Sequence, residues 1–103
     1  LFLANGFEEI EAIGTVDILR RAQIDVVTVS ITENNAVTGA HNIPVTADKI
    51  FKDTDFTNFD MLILPGGMPG AKNLNEHENL CCTNDSWRIR YIRWQTCNML
   101  SRL

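Results

Sequence analysis

Three short runs rich in apolar and β-branched residues, "LFLAN" (1–5), "IDVVTVSI" (24–31) and "DMLIL" (60–64), each end in a segment that has to turn. Runs of that length with little polar alternation predict strands covered on both faces. Between the first two, from about Glu8 to Ala22, apolar residues recur at helical spacing. A second helix is predicted behind the third run, from about Ala71 to Leu80. Residues 36–48, "AVTGAHNIPVTAD", read as a small extended ribbon in which Gly39 and Pro44 limit regular pairing. Residues 49–59 fit neither template. Strand, helix, strand, excursion, strand, helix is the order of a doubly wound parallel α/β sheet, whose ligands sit at the carboxyl ends of the strands. "ANGFEE" and "PGGMPG" both follow such ends.

With 103 residues the chain forms one domain at most. Its 45% hydrophobic and 21% charged residues are the balance of a soluble globular protein, and no apolar run reaches the length of a membrane span. The first residues lack the basic segment of a secretory signal. A net charge of -4 argues against nucleic acid as a partner, and three cysteines, two of them adjacent, do not form a disulfide framework. The expected setting is therefore the reducing cytoplasm. Charge is distributed unevenly: residues 1–80 hold 5 Lys and Arg against 12 Asp and Glu, whereas residues 81–103 hold 4 Arg against one Asp. All the cysteines, both tryptophans and the single tyrosine fall in that last segment, whose apolar residues give neither a helical face nor a sustained strand alternation. Residues 81–103 are a tail of foreign composition to which no domain is assigned.

The bend "PGGMPG" is the first candidate site. Two glycines directly after a buried strand let the backbone approach something closely. A dinucleotide would need G-x-G-x-x-G between the first strand and helix, where the chain reads "ANGFEEIEA", and a phosphate-binding loop of the G-x-x-x-x-G-K-[ST] type is absent. A flavin phosphate would meet Glu8 and Glu9. His41, His77 and the cysteines lack metal-ligand spacing, so no metal and no cofactor is expected. Two readings remain: a tight turn, or an oxyanion hole made by the amides of Gly66 and Gly67. Glu8 and Glu9 suit the positive end of the helix, and Glu9 projects to the polar side with Asp17, Arg20 and Arg21. Glu11 instead projects with Ala12, Thr15, Ile18 and Leu19. An apolar setting favours the protonated carboxyl, which suits a group that donates or shares a proton.

"LFLANGFEEIEAIGTVDILRRA", "AVTGAHNIPVTAD" and "DMLILPGGMPGAKNLNEHENL" together resemble the ThiJ/PfpI family in its protein deglycase branch, over residues 1 to about 80. The resemblance implies a flavodoxin-like doubly wound parallel sheet of the class I glutamine amidotransferase-like form, here incomplete. It also implies a homodimer or other self-association. The activity implied is that of a cysteine-dependent glyoxalase or protein deglycase, acting on small aldehydes or glycated adducts without an added cofactor, with roles in oxidative stress or as a chaperone. By resemblance, Glu11 is the proton partner of the cysteine, and Gly66 and Gly67 supply the oxyanion amides.

The chain departs from the family pattern in four places. Gln23 stands where the first helix usually ends in Gly. The strand that follows in the family is not found, nor is the Ala-x-Cys-Ala turn that carries the nucleophile. Cys97 lies near the right distance but in "WQTCNML", and Cys81 and Cys82 come too early; no nucleophile is recognised. The family histidine also has no counterpart, since His41 and His77 both precede it. The chain is therefore expected to be a truncated, inactive relative of the enzyme. The alternative is a non-catalytic, redox-protective or chaperone-like binding module.

Overall fold

The computed structural model of the chain describes residues 1–77 and 80, and the backbone of 90–93. Its strands are β1 (Phe2–Leu3), β2 (Val29–Ser30), β3 (Ala36–Thr38), β4 (Pro44–Thr46), β5 (Lys49–Ile50), β6 (Met61–Leu64) and β7 (Arg90–Arg93). A π-helical turn over Ile10–Gly14 runs into α1 (Thr15–Arg21), a 3-10 turn over Phe51–Asp53 follows β5, and α2 spans Gly70–Glu76.

Strands β1, β2 and β5 form a parallel sheet in which β2 is central, with Phe2 opposite Val29 and Val29 opposite Lys49. The formal ladder is short, but the chain stays extended around it: Val29 and Ile31 donate their amides to the carbonyls of Leu1 and Leu3. On its other side β1 borders β6, which pairs in parallel with β7, Met61 opposite Arg90. Strands β3 and β4 form a separate antiparallel ribbon with Val37 opposite Val45.

The two-residue period of a strand sends neighbouring side chains to opposite faces, and two cores result. Leu1, Leu3 and Ile63 join Phe7, Ala12, Val16, Val26, Val37 and Ala47 on the side of α1 and the ribbon. Phe2, Ala4, Val29 and Leu62 join Leu74 and Leu80 on the side of α2, with Phe51, Phe56 and Phe59 packed against them. Phe51 lies 5.9 Å and Phe56 5.5 Å, ring centre to ring centre, from Phe2. Both faces of the sheet are therefore covered, as the near-continuous apolar strands require. No helix among the described residues is long and apolar enough to cross a membrane.

Three details differ from the sequence reading. The ambiguous stretch 49–59 contributes β5 and the 3-10 turn, because β2 offers Lys49 and Ile50 an edge to pair with. The second helix ends at Glu76, with His77 already extended (ψ 109). A strand, β7, forms within the segment whose own patterning fits no element. Its alternation slips at Ile92, but β6 presents a ladder edge, and pairing with a formed neighbour outweighs weak intrinsic pattern. Hence β6 is paired along its full length, from Met61 to Leu64, with β7.

Gln23, just past α1, has φ 62, the left-handed conformation that a glycine would adopt without a steric penalty. Gln23→Gly is expected to stabilise the chain by about 1 kcal/mol, read from the midpoint of reversible denaturation. An unchanged or lower midpoint would show that Gln23 is not strained there.

Candidate functional site

The loop from β1 to the first helix and the Gly-rich bend after β6 interlock through their backbones. Glu8 donates its amide to the Gly66 carbonyl at 2.9 Å, and Gly70 donates to the Gly6 carbonyl at 3.0 Å. The approach leaves no space for side chains. A Cβ at Gly70 would lie 2.6 Å from the Phe7 nitrogen, and one at Gly67 would fall on the Glu8 amide nitrogen. Gly67 also has φ 100, which only glycine adopts without strain. Part of what the bend holds is therefore the neighbouring loop itself. Asn73 adds a side-chain bond from α2 to the Asn5 carbonyl at 2.9 Å.

That interlock places Glu11. The Glu8 side chain caps the helix start by accepting the Glu11 amide at 2.8 Å, and the Glu8 carbonyl accepts the Ala12 amide at 3.0 Å. The π-helical turn begins there, and the Glu11 side chain, half-buried, turns toward the bend. Its Oε2 accepts the Gly66 amide at 2.7 Å. Glu11 and Gly66, 55 residues apart in sequence, are thus in direct contact, with Gly67 adjacent. The Gly66 N–H is committed to the carboxyl, whereas the Gly67 N–H donates to none of the described residues. A carboxyl held through one oxygen keeps its other oxygen for a proton, and beside it stands an amide donor that none of the described residues engages. That pair can share a proton with a reacting group and stabilise negative charge on an oxygen.

Glu9 is the residue that sequence reasoning missed. It is buried rather than on the solvent side, and its two carboxylate oxygens accept the His41 amide and contact His41 Nδ1, each at 2.7 Å. The departure from 3.6-residue geometry in the π-helical turn rotates this end of the helix relative to an ideal wheel. Gly39 was the available signal: a Cβ there would collide with the Glu9 carboxylate. Donor atoms of Glu8, Glu9 and His41 lie within 4.8 Å of one another, a convergence that spacing along the chain could not reveal. Glu9 is satisfied by His41 and Glu8 by the Glu11 amide, so the cluster is complete as a hydrogen-bonded unit. His77 lies elsewhere, edge-on to Phe51 at 4.6 Å in the aromatic core. Cys81, Cys82 and Cys97 fall outside the described residues.

The model of the DJ-1/PfpI family matches residues 1–83. Protein DJ-1 homolog A of Arabidopsis thaliana is 36% identical over 87 residues, a match covering 82% of this chain and 22% of that protein. Among solved structures, a cysteine-to-alanine mutant of a DJ-1 superfamily protein from Salmonella typhimurium superposes with a TM-score of 0.82 at 39% identity, covering 89% of this chain and 51% of that one. Oxidized DJ-1 of Toxoplasma gondii gives 0.81 at 30% identity, covering 89% and 52%. The chain thus spans about half the length of these solved relatives and less of the curated one, and its sheet is an incomplete version of their flavodoxin-like fold.

Proposed function

Since the chain belongs to the DJ-1/PfpI family, we propose that it carries the proton-partner and oxyanion-binding half of a cysteine-dependent glyoxalase or protein deglycase site, and that it is inactive alone. The observation that carries this reading is the 2.7 Å hydrogen bond from the Gly66 amide to Glu11 Oε2. It fixes a carboxyl at the carboxyl end of β6, where ligands of doubly wound sheets bind. In the chemistry proposed, a thiolate adds to an aldehyde carbon, the C=O electron pair moves onto oxygen, the Gly67 amide donates to that oxygen, and Glu11 supplies the proton that neutralises it. Gly66 holds Glu11 in place. Residues 1–80 are read as the amino-terminal part of the domain and 81–103 as a tail that does not replace the nucleophile elbow.

The test is methylglyoxal consumption by the purified chain, its Glu11→Gln variant and its Cys97→Ser variant. Equal, slow loss at the rate of a free thiol in all three is expected. Turnover that disappears in both variants would overturn the claim of inactivity and make Cys97 the nucleophile.

A surface feature supports self-association as the second part of the reading. Ile10 is 80% and Ile18 67% exposed on the first helix, beside Ile13 at 39%, and an apolar stripe of this kind on a helix is a contact face. Ile10→Glu is expected to shift the sedimentation of the chain toward the monomer at concentrations where the unsubstituted chain associates. A monomer at every concentration in both would contradict it. A binding module without catalysis would share this surface but not require Glu11 to face the bend.

A further inference from the structure

The β3–β4 ribbon is laced along the loop that leads to Glu11. Thr38 donates its amide to Asn5 Oδ1 at 3.1 Å, Gly6 donates to the Thr38 carbonyl at 2.8 Å, and Ala40 donates to the Phe7 carbonyl at 2.8 Å. The lacing ends at Glu9, which grips residue 41 twice, through the backbone amide and through the imidazole. The two partners differ in access to solvent: the Glu9 side chain is 11% exposed and the His41 side chain 68%. A proton can therefore reach or leave the ring without the buried carboxylate being uncovered. We propose that Glu9 and His41 form a proton-operated clamp, in which protonation of His41 tightens the ribbon onto the loop that positions Glu11 and deprotonation loosens it.

The charges around the pair favour that direction. The hydrogen bond to Glu9 and the charge of Glu9 hold the His41 pKa above the ordinary histidine value; burial opposes this, and the nearby Glu8 carboxylate adds to it. Burial works against the Glu9 charge, but the side-chain and backbone hydrogen bonds from His41 outweigh it and hold the carboxyl below the usual range. Among the described residues, the ribbon strands β3 and β4 contribute no other titratable side chain, and Glu11 on the facing helix is turned to Gly66. The raised His41 value means that the charge-assisted part of the clamp is present below the ordinary histidine pKa and lost as pH rises through the raised one. The depressed Glu9 value means that the clamp is lost again at acid pH, as the carboxylate protonates. Between those limits the pair is fully ionic. Above the upper limit a neutral imidazole protonated at Nδ1 still donates, so the clamp loosens without opening. The inference rests on the ribbon and loop alone and is independent of the chemistry proposed for Glu11.

The test is an NMR titration of the His41 ring together with amide exchange at Ala40 and His41, corrected for intrinsic exchange. The expected midpoint lies above that of an unperturbed histidine and moves down to it in Glu9→Gln. Protection of the two amides is expected to rise several-fold as pH falls through that midpoint, and to be independent of pH in His41→Gln, whose exposed position keeps the fold intact even if Glu9→Gln unfolds. A His41 midpoint at the ordinary value, or the same pH dependence of protection in His41→Gln, would overturn the clamp.

Discussion

Gly67→Ala should abolish the cooperative folding of this chain. The added methyl group meets the Glu8 amide nitrogen directly, and Glu8 cannot retreat because that amide is bonded to the Gly66 carbonyl. The residue would also have to hold φ 100, which costs a side-chain-bearing residue about 1–3 kcal/mol, and forcing atoms into a filled space costs a further ~1–3 kcal/mol. A small domain has a total stability of about 5–15 kcal/mol, and an incomplete one stands at the low end. Thermal unfolding followed by circular dichroism should lose its transition. A midpoint close to that of the unsubstituted chain would mean that the bend and the helix loop are not locked together as described.

Glu11→Ala should destabilise the chain clearly while leaving the packing of the core untouched. Gly66 is buried, and without the carboxyl its N–H has no partner, a penalty of about 1–3 kcal/mol. Glu11→Gln keeps an oxygen in the same place and should cost much less. Denaturation midpoints of the two variants should therefore separate clearly, whereas removal of a solvent-facing carboxylate would leave both unchanged.

The parts of this architecture that were legible in the sequence are those set by local pattern. "DMLIL" followed by "PGG" reads as a strand entering a tight bend because an apolar run and two glycines suffice for both, and β6 and the Gly67 conformation lie there. Glu11 stands out because an ideal wheel groups it with Ala12, Thr15, Ile18 and Leu19; Ile18 is in fact exposed, so that face is only partly covered, but Glu11 does reach across to Gly66. What stayed hidden depends on partners distant in the chain. Glu9 reads as an ordinary helix-start acid until His41, 32 residues away, is brought against it. Strand β5 exists because β2 lies beside it, and β7 because β6 does. The commitment of the Gly66 amide to Glu11 was equally invisible, because a glycine pair announces close approach without stating which neighbour arrives. The glycine pair reads in the sequence as one oxyanion-binding unit, whereas in the fold the two differ: the Gly66 N–H anchors the carboxyl, and the Gly67 N–H donates to none of the described residues.

The central claim is that Glu11 is held over the bend by the Gly66 amide, and hydrogen exchange at that single amide tests it most directly. The account predicts that the Gly66 N–H is protected in the unsubstituted chain and in Glu11→Gln, and exchanges freely in Glu11→Ala under conditions where β6 itself remains protected. Equal protection of Gly66 in all three would contradict it.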